Sequence, residues 1–113
     1  MSKGAYVYIL ASPRKRLYIG VTSDLMQRVK EHKSNADPDS FCSRYNIRQL
    51  VYYEVFESIN EAIARETSLK GILRIRKIQL IVGLNPTWRD LSVNWGKPAD
   101  PFDESKLKPP TKF

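Results

Sequence analysis

The feature that most restricts this chain is a pair of apolar, aromatic runs, YVYIL at 6–10 and LYIGV at 17–21, joined by the short basic segment SPRKR at 12–16. Two strand-length runs with so little chain between them read as an antiparallel hairpin, since a parallel return needs a dozen or more residues. Alternate side chains of a strand point to opposite faces. Val7, Ile9, Leu17, Ile19 and Val21 therefore share one face, and Tyr6, Tyr8, Leu10, Tyr18 and Gly20 share the other. A turn centred near Pro13 would set Tyr8 opposite Tyr18 and Tyr6 opposite Gly20. A glycine on the tyrosine face either leaves space there, permits a close backbone approach, or marks a bulge.

After the hairpin, TSDLMQRVKEHK (22–33) carries Asp24 as N-cap with Gln27 three residues on, which starts a helix running to about Lys33. Residues 34–48, with SNADPDS, read as a loop. LVYYEVF (50–56) is a third strand by its aromatic and β-branched content. Ser58 and Glu61 form a capping box for a second helix over 58–70, which Gly71 ends or bends. ILRIRKIQLIV (72–82) is a third helix, stopped by Gly83 and the Asn85-Pro86 turn. Residues 97–113 hold four of the seven prolines and little apolar content, and read as an extended or disordered tail. The expected organisation is one domain over 1–96 followed by that tail.

The chain has 19 Lys and Arg against 12 Asp and Glu, a net charge of +7. That balance suits a polyanionic partner, nucleic acid first and an anionic membrane second. No apolar run approaches the roughly 20 residues of a membrane span, and the N-terminus has too short an apolar stretch for a signal peptide. One cysteine and one histidine exclude an internal disulfide and a Cys- or His-cluster zinc site. A reducing, cytoplasmic setting fits, and a metal site would need oxygen ligands, favouring Mg²⁺ or Mn²⁺.

On the second helix Ile59, Ala62, Ile63, Leu69 and Leu73 make an apolar stripe at 100° per residue, and Glu66 falls in its middle. A carboxylate there loses hydration and needs a partner. Lys70 at i+4 offers a simple ion pair, and an arginine or a metal ion are the other candidates. On the first helix Leu25, Met26 and Val29 face inward, while Arg28 and His32, four residues apart, form a polar row along the border of that face. Taken singly, each is an ordinary surface or border residue. Together, phenols, a guanidinium, an imidazole and one carboxylate are a sufficient kit for cutting a phosphodiester. A phenol, with its ordinary pKa near ~10, takes a proton from water only if metal or cations lower it.

These motifs resemble the GIY-YIG nuclease superfamily, and most closely its small standalone bacterial members. Tyr6-Val7-Tyr8 stands for the first element, with Tyr8 as its tyrosine, and Tyr18-Ile19-Gly20 is the second element verbatim. TSDLMQRVKEH matches the helix that follows. The resemblance makes Arg28 the catalytic arginine and His32 the helix histidine. AIARETSLKG places Glu66 at the metal-binding glutamate with Lys70 beside it, and Asn85 matches a later asparagine. The resemblance spans about residues 5–95. Tyr6 replaces the named glycine, and Ile72 stands where an aromatic residue is expected.

What the resemblance implies is an α/β domain of the α+β type: a three-stranded antiparallel sheet flanked by helices, in the order β-β-α-β-α-α. It also implies hydrolysis of DNA using one Mg²⁺ or Mn²⁺ held by Glu66. Tyr8 would be the base, helped by His32, with Tyr18 orienting water or phosphate and Gly20 keeping the space beside them open. Arg14, Lys15, Arg16, Arg44, Arg48, Arg74, Arg76 and Lys77 are the expected phosphate contacts. RNA stays open as a substrate, and the expected state is a monomer or weak dimer. Two rivals remain at this stage: a module that grips nucleic acid without cutting it, and an interaction domain whose charge is incidental.

Overall fold

The structure, a computed structural model, describes residues 4–34, 40–93 and 95 of the 113. The 97–113 tail and the proposed boundary at 96 lie outside the described residues. Seven elements follow in order: β1 (Ala5–Ala11), β2 (Leu17–Thr22), α1 (Leu25–Lys33), α2 (Phe41–Arg44), β3 (Gln49–Phe56), α3 (Ile59–Lys70) and α4 (Arg74–Leu84). The three strands form one antiparallel sheet in the order β2-β1-β3. The short helix α2 lies within what the sequence presents as a loop. Ser40 caps it, its side chain accepting from Ser43 N. Helix α4 runs through Gly83 and ends at Asn85 instead.

Central position explains the composition of β1. It is covered on both faces, and every residue from Val7 to Ala11 is buried, so the strand is apolar throughout rather than alternating. Val7, Ile9, Ile19, Val51 and Tyr52 pack with Ala62 and Leu69 of α3 and Ile81 of α4 on one face. Tyr8, Leu10, Leu50 and Tyr53 pack with Leu25 and Val29 of α1, Cys42 of α2 and Ile47 on the other. The helix starts follow the sequence: Asp24 accepts from Gln27 N at 3.1 Å and Ser58 from Glu61 N at 3.2 Å.

The hairpin register differs from the expectation by two residues. Tyr8 pairs with Gly20, Leu10 with Tyr18 and Tyr6 with Thr22. The turn is a five-residue loop centred on Arg14. The Ser12 hydroxyl accepts from the amides of Arg14 and Arg16, and Lys15 takes a left-handed φ of 65°. A shift of two leaves each side chain on its expected face. No bulge sits at Gly20. The ladder shifts instead on β3, where Val51 lacks a partner between Tyr52 opposite Ile9 and Leu50 opposite Leu10.

Asn85 answers for that irregularity. It is 3% exposed. Its amide donates to Val51 O at 3.2 Å and to Arg89 O at 2.8 Å, while its carbonyl accepts from Arg89 N. The asparagine expected to support the site therefore ties the end of α4 to the bulged strand. Losing it would strand a buried carbonyl, at a cost of about 1–3 kcal/mol.

Helix α3 is rotated relative to the apolar stripe read from its sequence. Ile59, Ile63 and Leu73 are 41%, 45% and 71% exposed. The inward residues are Ala62 and Leu69, with Arg65 and Glu66 half-buried between them. The cause is Glu54 on β3, buried at 6% exposure. Arg65 clamps it through two bonds of 2.9 and 3.0 Å, and the Tyr52 hydroxyl donates to the same carboxylate. A buried carboxylate must be paired, so the pair sets which side of α3 faces the sheet. The one charged residue inside an otherwise apolar strand, QLVYYEVF, was the signal in the sequence.

Candidate active site at the edge of the sheet

Tyr8, Tyr18 and His32 meet on the α1 side of the sheet. The rings of Tyr8 and Tyr18 lie 6.3 Å apart, Tyr8 and His32 6.1 Å, and Tyr18 and His32 5.7 Å. The cluster follows from local rules. Leu25 and Val29 of α1 bury against the tyrosine face, and the 3.6-residue period then brings His32 over the two phenols. Tyr8 Oη and His32 Nε2 are 3.4 Å apart, so one proton lies between phenol and imidazole.

Gly20 has a different task from the one expected. A Cβ there would stand 2.5 Å from the Tyr8 hydroxyl oxygen and 2.6 Å from its ring carbon. The space beside the phenol is not open; Tyr8's own ring fills it, lying across the bare backbone of its pairing partner.

Burial dominates the electrostatics of the pair. Tyr8 has no exposed surface, and this desolvation pushes its phenol above the ordinary range. The neighbouring Tyr18 adds to the rise, and Arg28 opposes it without cancelling it. His32 moves the other way: burial first and the Arg28 charge second hold its imidazole below its usual value of 6.5. Both effects favour the neutral pair at pH 7. A lowered phenol, the condition for Tyr8 to act as a base alone, is not what this structure contains. Arg28 is half-exposed and bonds Glu31 Oε1 through Nε at 3.3 Å.

Glu66 stands apart from this cluster. Helix α3 covers the sheet face opposite α1, so the tyrosines and Glu66 lie on opposite faces. They flank β2, one of the two edge strands. A recess of about 290 Å³ at that edge is lined by Leu17, Tyr18 and Ile19 of β2 together with Lys70 and Lys77. It links Tyr18 to the turn of α3 that follows Glu66. The Glu66 carboxylate is 18% exposed and accepts from Lys70 Nζ at 3.0 Å. The simple ion pair with Lys70, one of the candidate partners read from the sequence, is formed.

Of the expected basic contacts, Arg14, Lys15, Arg16, Arg44 and Arg74 line a second, larger recess at the hairpin turn. Arg48 bonds Asn46, which also lines it. Lys77 lies at the Tyr18 recess, and Arg76 is exposed on the first turn of α4.

Residues 4–79 match the family model described as the GIY-YIG catalytic domain. The chain belongs to the GIY-YIG family. This places it in a nuclease superfamily whose nucleases act on DNA. Its GIY-YIG domain is similar to small bacterial proteins. It is 40% identical over 76 residues to the UPF0213 protein CPE1444 of Clostridium perfringens, covering 67% of this chain and 81% of that one. It is 36% identical over 81 residues to a UPF0213 protein of Syntrophus aciditrophicus, covering 72% and 92%. The solution NMR structure of the UPF0213 protein BH0048 from Bacillus halodurans is similar with a TM-score of 0.50 and 29% identity, over 82% of this chain and 97% of that one. The three-stranded antiparallel sheet with flanking helices is therefore the family's fold. Among the described residues, no helix of this GIY-YIG protein is long and apolar enough to cross a membrane.

Proposed function

We propose that this protein is a divalent-metal-dependent endonuclease that hydrolyses phosphodiester bonds in DNA. The observation that carries the reading is the Tyr8–Tyr18–His32 cluster with Arg28 at its border, assembled by three elements beside the same edge strand that Glu66 flanks.

Among the described residues no group of three or more His, Cys, Asp or Glu side chains gathers to hold a metal ion. A single carboxylate fits Mg²⁺, which keeps most of its water and binds through one or two carboxylates plus phosphate oxygens. Glu66 would hold the ion, and the 57% exposed Lys70 side chain has room to give way. When bound, such an ion polarises the phosphate and stabilises the leaving oxygen.

The chain's own residues do the rest. Water attacks phosphorus as the bond to the leaving oxygen breaks. The Tyr8–His32 pair takes up the water's proton, and it does so as a unit. The imidazole supplies the basicity at neutral pH, and the phenol holds it in orientation. Arg28 carries the charge that builds on the non-bridging oxygens. Tyr18, half-exposed at the recess, orients water or phosphate. The leaving oxygen takes a proton from solvent.

The Lys70–Glu66 ion pair favours a second reading, a module that binds nucleic acid with its carboxylate satisfied and does not cut. Metal-titrated cleavage of supercoiled plasmid and of a panel of labelled duplex, flap, branched and single-stranded DNAs decides. Cutting that appears with Mg²⁺ or Mn²⁺ and stops with chelator is expected. Binding without cutting at any metal concentration would establish the second reading.

A further inference from the structure

A recess larger than the one beside Tyr18 lies outside the candidate active site. It encloses about 600 Å³ at the hairpin turn and is lined by Arg14, Lys15, Arg16, Arg44, Tyr45 and Arg74, with no acidic residue among the described residues of its wall. Among the described residues none of these five cations is paired with a carboxylate. Like charges gathered in a concave space repel one another, and a concave wall concentrates their field. A fold that keeps five of them there without a counter-charge is built for an anion.

The recess is also held in shape. The Ser12 hydroxyl is buried and receives the amides of Arg14 and Arg16, which fixes the turn. The Arg74 guanidinium donates to the Lys15 carbonyl at 2.7 Å, tying α4 to the same turn. Arg16 lies 4.2 Å over the Tyr45 ring, and that ring leans on Phe41 at 4.8 Å. A guanidinium held over an aromatic ring is positioned by it while its N–H groups stay available to phosphate oxygens.

Position supplies the ligand. Helix α2, which carries Arg44 and leads into Tyr45, packs through Cys42 on the same sheet face as Tyr8 and Tyr18. Tyr18 is two residues along β2 from Arg16, about 7 Å. A nucleic-acid strand advances roughly 3.4 Å per nucleotide. A strand lying across the phenols therefore reaches the recess about two nucleotides further on. We propose that this recess is a phosphate-binding subsite that grips the substrate strand a few nucleotides from the bond being cut, with Tyr45 as the residue that positions Arg16. The subsite rests on the nucleic-acid reading above but not on cleavage.

The test compares wild type with the double variant R14A/R44A, both changes being on exposed side chains, and with Tyr45→Ala and Tyr45→Phe. Binding of fluorescent 20-nucleotide single-stranded and duplex DNA is measured by anisotropy across a salt series, with inorganic phosphate as competitor. The double variant should bind at least roughly tenfold more weakly at 100 mM salt, with a salt slope shallower by about 1.4–1.8 for two lost contacts. Tyr45→Ala should weaken binding roughly threefold to tenfold with no change of charge, and Tyr45→Phe should restore it. An unchanged salt slope in the double variant, with wild type binding DNA, overturns the subsite and leaves the nuclease reading intact. A normal loss of slope in a protein that never cuts keeps the subsite and removes the nuclease. Competition by millimolar inorganic phosphate with no advantage for DNA would make this a free-anion site and overturn the proposal.

Discussion

The two sides of strand β2 handle ionisable groups in opposite ways. On the α1 side, Tyr8 is sealed from solvent and shares a proton with a half-buried histidine, so both groups stay neutral. On the α3 side, Glu66 keeps part of its surface and pairs with the exposed Lys70. Burial removes hydration from the charged form and stores protons where they can be moved. Partial exposure lets a carboxylate stay charged and exchange one cation for another. The proposed chemistry uses both environments, a proton acceptor kept dry and a carboxylate open to a cation, and β2 is the strand that both flank.

The sharpest way to break this comparison is to neutralise the α3 side alone. Glu66→Gln keeps shape and removes the charge. Cutting should fall by about 10³-fold or more while DNA binding is retained, because the ion's one protein carboxylate is lost. Wild-type cutting by this variant, in single-turnover assays at fixed Mg²⁺, would remove Glu66 from the mechanism.

Arg28, on α1 beside Tyr8 and His32, should show the next largest effect. Arg28→Ala is expected to lower the single-turnover rate by about 10²-fold, with much less change in Kd, if its charge serves the transition state. A proportional loss of binding with an unchanged rate would make it a phosphate anchor only.

The neutral pair is probed by its protons. Tyr8→Phe keeps ring and volume over Gly20 and removes the partner of His32, and should lower the rate by roughly tenfold to a hundredfold at pH 7. Tyr18→Phe should cost less, since an orienting hydrogen bond is worth about 1 kcal/mol. The wild-type rate should rise with pH along a limb whose midpoint lies below 6.5, because His32 is lowered and gains its basic form early. The same sign applies to stability. A histidine lowered in the folded state binds fewer protons than the unfolded chain, so its stabilising contribution is full above 6.5 and is lost as pH falls. A pH–rate limb above 6.5 would point instead to a group other than His32.

The smallest effect is expected at Lys70. Removing the rival cation by Lys70→Met should tighten Mg²⁺ dependence a few-fold, since the exposed pair is worth little. An activity loss as large as that of Glu66→Gln would mean that Lys70 itself contacts substrate.

Much of the site was legible before any coordinates, and the reason is its range of interaction. Asp24 and Ser58 start their helices through bonds to residues three positions on. The four-residue spacing of Arg28 and His32 and the alternation of the strands are equally local. They set which side chains share a face, and the packing of Leu25 and Val29 on the sheet then brings His32 to Tyr8 and Tyr18. Most of what the sequence left open depends on contacts between distant residues, with the hairpin turn a local exception. The Ser12 hydroxyl and the left-handed Lys15 decide the hairpin register, setting Tyr8's ring on Gly20 in place of a gap. The Glu54–Arg65 clamp decides the rotation of α3, exposing Ile59 and Ile63 and carrying Glu66 to the far side of β2. Packing of α2 and α4 around the turn gathers cations numbered from 14 to 74 into one recess. Periodicity and capping act over one turn of chain and are written in order along it. The rotation of α3 follows the Glu54–Arg65 pair, which must be satisfied once water is gone, and the convergence of cations follows how α2 and α4 pack around the turn, so only the folded structure decides either.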